Sequence, residues 1–107
     1  MEHRRPSQKT LDKYGLTDGT WSRLLHTQEG LCAICRTPDR KLVIDHYHAP
    51  LYKKLRPGYR ALLVRGLLCY QCNRWLLGPT RVGFKSQHYE RAAAYLRKHE
   101  WLRKYFL

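Results

Sequence analysis

Acid is scarce in this chain. Eight Asp and Glu stand against twenty-one Lys and Arg, for a formal net charge of +13. A protein so one-sided repels itself unless a polyanion offsets it, which points to nucleic acid first and an anionic membrane surface second. Long apolar runs are missing too: none approaches the roughly 20 residues that span a bilayer. Met1 to Lys9 is polar and charged and lacks the apolar core of a secretory signal, so the expectation is a cytoplasmic protein with no membrane partner. Cysteine is limited to four residues in two pairs. In a reducing compartment such pairs read as metal ligands rather than disulfides. The 107 residues allow one domain with a modest core, and a 43% hydrophobic content argues against global disorder.

What is present reads in a definite order. Residues 1–15 are a basic lead-in, loose over 1–12. Thr17 is a good N-cap, Asp18 suits the positive end of a helix dipole, and Leu16 with Trp21 makes a hydrophobic staple. The helix is expected over 18–28, with Gly30 as its stop. The first knuckle, Cys32-Ala33-Ile34-Cys35, follows. Lys41 to Asp45 reads as a strand, residues 49–60 as a loop, and Leu62 to Leu68 as the returning strand with a bulge at Gly66. Cys69-Tyr70-Gln71-Cys72 repeats the knuckle. A short helix over 73–77 ends at Gly78-Pro79, and a long basic helix runs from Ser86 to about Tyr105, with Tyr89, Ala92, Ala93 and Leu96 on one stripe.

The two C-x-x-C pairs, separated by residues 36–68, offer four thiolates. Each pair turns tightly enough for both sulfurs to face one ion, and zinc prefers four tetrahedral soft ligands. A closed four-thiolate site has no open position, so such a zinc is structural. Within the stapled span, Asp45 and His46 stand at the end of a strand, and Asn73 directly follows the last cysteine. Asp45 and Asn73 offer hard oxygens to Mg²⁺, and His46 has the ordinary imidazole pKa of a base at neutral pH. Blander readings stand beside these. An isolated Asp-His pair is more often a surface turn, Asn73 is equally a helix cap, and His48 is an orienting group, a phosphate contact or an exposed residue.

Taken together, CAIC at 32–35, IDHYH at 44–48 and VRGLLCYQCN at 64–73, with Leu77-Gly78 behind them, resemble the recombination endonuclease VII family of phage-type resolvases, within the HNH or His-Me finger superfamily. The likeness covers about residues 16–78. It implies an α+β fold: a ββα-metal core stapled by a four-cysteine zinc, with flanking helices. Residues 1–15 would be the lead-in to one such domain, 16–78 its catalytic core and 79–107 its basic C-terminal helix. It implies zinc on Cys32, Cys35, Cys69 and Cys72, a catalytic Mg²⁺ or Mn²⁺ on Asp45 and Asn73, His46 as general base, and His48 at the phosphate. It also implies a homodimer acting on branched DNA, and a phage gene expressed in a bacterial cytoplasm. Two features depart from the pattern: a longer basic loop between His48 and Arg65, and a short stretch after residue 78.

Lys53, Lys54, Arg56, Arg60 and Arg65 form a basic run interleaved with Tyr52 and Tyr59, and are expected to contact DNA phosphates, with the tyrosines against sugar or base. A solvated loop is the alternative. Arg91, Arg97, Lys98, Arg103 and Lys104 form a second basic set. The cluster Trp101, Leu102, Tyr105 and Phe106 packs either on the core or on a second subunit. The reading is a metal-dependent phosphodiester hydrolase of HNH type on branched DNA. Its alternatives are a free-standing nicking or double-strand endonuclease and a non-catalytic zinc-ribbon protein that binds nucleic acid.

Overall fold

The structure is a computed structural model that describes residues 5–38, 40–77 and 86–105. Its centre is a two-stranded antiparallel sheet of β1 (Leu42–His46) and β2 (Val64–Cys69). Helix α2 (Asp18–Thr27) begins as the sequence predicts. The Thr17 hydroxyl accepts the Thr20 backbone N–H at 3.1 Å, and the Thr20 hydroxyl accepts that of Thr17 at 2.8 Å. Leu16 and Trp21 share one buried cluster, as the staple requires. Past the helix, Gly30 (φ +73°) turns the chain, and its N–H reaches back to the Leu25 carbonyl.

Three expectations change. The lead-in is not loose after residue 6: Ser7 caps a helix α1 (Gln8–Lys13), whose Leu11 is fully buried with Leu16, Trp21, Ile44 and Leu67. The 49–60 stretch is not a plain loop. It winds a 3₁₀ turn (Tyr52–Lys54) and then α3 (Pro57–Leu62), with Pro57 in the first turn where its missing N–H costs nothing. The last helix is shorter than expected. Helix α4 spans Ser86–Lys98, and a separate 3₁₀ segment spans Glu100–Tyr105. Its buried stripe uses Ala92 and Tyr95, flanked by Tyr89 and Leu96, while Ala93 is exposed. Leu102 packs on Ala49 and Leu63, which settles that side chain as core. The stop at Gly78-Pro79 and the side chain of Phe106 lie outside the described residues.

The hairpin separates two apolar layers. Ile44 and Leu67, opposite each other, face α1 and α2; Leu68 faces α4 and the cysteines. This follows from the two-residue period of a strand. The register then slips by one residue. Asp45 pairs with Gly66 but His46 pairs with Val64, so Arg65 is the extra residue of a bulge beside the predicted Gly66. The outer edge of β2 is closed by Gln28, whose carboxamide pairs with both backbone groups of Leu67 at 2.8 and 2.9 Å. Ala33 N–H donates to the same Leu67 carbonyl at 3.1 Å, which docks the first knuckle on the strand.

Candidate metal centre and reactive face

The four cysteines meet. Their sulfurs all lie within 4.8 Å of one another, and Cys32, Cys69 and Cys72 are buried. Cys35 Sγ and Cys69 Sγ stand 3.7 Å apart. A tetrahedron with metal–sulfur bonds of about 2.3 Å has edges of about 3.8 Å, so the donor set fits one zinc-sized ion. The Cys69 backbone N–H donates to Cys32 Sγ at 3.3 Å, and an Arg40 guanidinium N–H reaches Cys69 Sγ at 3.8 Å. Hydrogen bonds from Cys32 and Cys72 pull the Cys69 thiol down to about 3, while donation to Cys32 and Cys69 pushes Cys72 up. A bound cation would displace the protons these sulfurs share.

Directly after Cys72 the chain makes one wide turn, Cys72–Leu76, in which Leu77 N–H reaches the Cys72 carbonyl five residues back. Asn73 sits on this turn. It lines a cleft of about 660 Å³ with Lys13, Tyr14, Lys41, Tyr70 and the β1 residues Leu42, Val43 and Ile44.

Asp45 and His46 are neighbours in sequence but lie on opposite sides of the hairpin. Asp45 is 2% exposed and faces α4. Its carboxylate takes a two-pronged ion pair from Arg65, Nε to Oδ2 at 2.8 Å and Nη2 to Oδ1 at 3.0 Å. The Tyr95 hydroxyl donates to Oδ2 at 2.8 Å. Burial, and then the neighbouring Asp45 charge, push the Tyr95 phenol well above its ordinary range, so it stays a donor. The bulge makes this possible by turning Arg65 toward Asp45. Arg65, expected on the DNA surface, therefore points inward, with its side chain 13% exposed.

His46 faces the other way. Its ring lies 4.6 Å from that of His48, 4.5 Å from Tyr52 and 5.2 Å from Tyr14, centroid to centroid. Burial first, then the His48 charge, lower its pKa from 6.5 to about 4, so the imidazole is neutral at physiological pH. His48 itself is exposed. Tyr52 is pushed up to about 12, chiefly by burial, and stays protonated beside His46. Next to this cluster is a second cleft, of about 380 Å³, lined by Lys9, Thr10, Lys13, Tyr52, Lys53 and Arg60. Lys54 and Arg56 are exposed, as the sequence predicts, but do not line it.

A catalytic cation on Asp45 and Asn73 would compete with Arg65 and Tyr95, the partners of Asp45. The Asp45 charge is already matched by a guanidinium in contact with both oxygens, and Asp45 is not among the residues lining the cleft that holds Asn73. Tyr95, Tyr14 and Gln28 are contributors that sequence reasoning missed. Only Tyr95 left a signal, an aromatic three residues after Ala92 on the helix stripe.

The family model for recombination endonuclease VII matches residues 7–98. The chain belongs to the recombination endonuclease VII family. The match takes in α1, the hairpin, both knuckles and all of α4. The Gene 59 protein of Mycobacterium phage D29 is 32% identical over 93 residues, covering 84% of this chain and 48% of the relative. The Gene 59 protein of Mycobacterium phage L5 is 31% identical over 91 residues, covering 82% and 48%. The chain thus spans about half the length of these two phage proteins. No solved structure gives a significant match. Among the described residues, no helix is long and apolar enough to cross a membrane.

Proposed function

We propose that this chain is an endonuclease that hydrolyses DNA phosphodiesters, with branched DNA such as a four-way junction as its preferred substrate. The observation that carries the reading is the half-buried His46, packed against Tyr14, Tyr52 and His48 beside lysine-lined clefts, in a member of the endonuclease VII family. His46 accepts a proton from water. The hydroxide oxygen then bonds to phosphorus, the bond to the leaving sugar oxygen breaks, and that oxygen takes a proton from solvent. The lowered pKa keeps the ring neutral at pH 7 and makes it a weaker proton acceptor than the ordinary imidazole the sequence suggests. His48, exposed beside His46, would meet a phosphate oxygen, the role the resemblance implies for it. The four-cysteine centre, with zinc as the ion, is structural: it ties Asn73 to the hairpin and takes no part in the reaction.

The finer assignments to the HNH or His-Me finger type, to Mg²⁺ or Mn²⁺ as a catalytic cofactor, to a homodimer and to the host cytoplasm rest on the resemblance. For the metal, Asp45 would have to leave Arg65 and Tyr95, and the chemistry ascribed to this chain's own residues begins at His46. The engagement of Asp45 favours one second reading, a zinc-stapled protein that binds nucleic acid without cutting it.

Cleavage of labelled four-way junction, nicked, single-stranded and plain duplex DNA, with Mg²⁺, Mn²⁺ or EDTA, separates these. The expected result is cutting, fastest on the junction. Binding without cutting of any substrate under any of the three conditions would make the second reading the better one.

A further inference from the structure

We infer that α1 is a DNA-backbone clamp, with Lys9 and Lys13 gripping one strand's phosphates on the reactive face beside His46. The inference deepens the nuclease reading and rests on it for the identity of the partner.

Helix α1 stands between the two clefts. Thr10 and Lys13 line both, so the cleft holding Asn73 and Lys41 continues past α1 into the cleft holding Lys53 and Arg60. The resulting path carries Lys41, Lys13, Lys9, Lys53 and Arg60. Of the nearby acids, Asp18 is paired with Arg5, while Asp12 accepts from the neutral Gln8 carboxamide at 2.8 Å and keeps its charge. His46 lies against Tyr14, whose ring centroid is 5.4 Å from Lys13 Nζ, and against Tyr52, whose hydroxyl faces the Lys13 carbonyl.

The path is built rather than incidental. Arg60 Nη2 donates to the Asp12 carbonyl at 3.1 Å, and Tyr52 hydroxyl reaches the Lys13 carbonyl at 3.5 Å. Gly15 (φ +68°) lets α3 press close, since a Cβ there would sit 2.0 Å from the Pro57 carbonyl oxygen. Three contacts therefore bind α1 to the 52–62 segment, and an otherwise short polar helix is held with its lysines toward one groove. Lysines spaced four residues apart lie on one face of a helix, about 6 Å apart along its axis, so both charges meet the same ligand. Lys9 and Lys13 are exposed, so they meet a polyanion without a desolvation cost of burial.

The test uses the full chain with EDTA, so that binding is read without cutting. The affinity of a fluorescent duplex is measured over a salt series for wild type, Lys9→Gln/Lys13→Gln, and the control Arg97→Gln/Lys98→Gln, which removes equal charge from exposed positions of α4. Each phosphate-contacting lysine contributes about 1 to the slope of log affinity against log salt. The α1 pair is expected to lower the slope by about 2, and the α4 pair by less than half as much, with melting temperatures unchanged for both. A change for the α1 pair no larger than for the α4 pair overturns the clamp. Because cleavage plays no part in this readout, a wild-type protein that never cuts DNA would defeat the nuclease reading while leaving the clamp to be judged on its own slopes. A matching single-stranded RNA in the same series marks the alternative partner: tighter binding to it than to duplex DNA overturns the assignment to DNA.

Discussion

Asp45 and His46 share a peptide bond and almost nothing else. Asp45 faces α4 and is sealed by Arg65 and Tyr95. His46 faces α1 and the 3₁₀ turn, among rings and lysine-lined clefts. The sealed face couples a buried charge to the fold, so its energetics are those of an ion pair in a low dielectric. The open face keeps a neutral base near solvent and surrounds it with positive charge. One strand thus separates anchoring from chemistry through the two-residue alternation of its side chains.

The sharpest way to break this contrast is to remove Arg65. Arg65→Leu leaves the Asp45 carboxylate buried without its counter-charge, which is expected to cost about 3–5 kcal/mol in urea unfolding. A loss below about 1 kcal/mol would mean that Asp45 finds another partner, and the sealed face would not be an anchor. Tyr95→Phe is the milder version. It deletes one hydrogen bond to a charged group, at about 1.5–3 kcal/mol, and cleavage per folded molecule should stay within a few-fold of wild type.

The pH dependence sharpens the open face. His46 has a folded pKa near 4 against 6.5 for the free side chain, so the unfolded chain binds its proton first as pH falls. Its contribution to stability is therefore complete above about pH 6.5 and declines as pH drops toward 4. The same shift places the acid limb of cleavage near pH 4 rather than 6.5. A pH–rate profile on folded protein reads this directly, and an acid limb centred at 6.5 would show an unshifted imidazole.

How much of this was legible depends on the range of the interactions. The α2 cap at Thr17, the staple of Leu16 and Trp21, and both knuckles are local patterns, and each stands where the sequence predicts it. Helix α1 offers a single buried apolar residue, Leu11, too little for a periodic signal. Helix α3 carries Pro57 and Gly58 and is held by long-range contacts to Gly15 and Asp12, which no local pattern displays. The Asp-His pair suggested two groups side by side, whereas strand alternation parts them. Arg65 read as one more cation in a basic run, because a one-residue bulge and its pairing with a carboxylate twenty positions away leave no local mark.

The central claim is that His46 performs chemistry on DNA. Its most direct test is the cleavage rate of a labelled four-way junction by wild type and His46→Ala, with matched circular-dichroism melting curves and a Mg²⁺ or Mn²⁺ buffer. Wild type is expected to cut, and His46→Ala to lose at least about 100-fold, the usual contribution of a general base, while still folding. Equal cleavage by a folded His46→Ala would contradict that role.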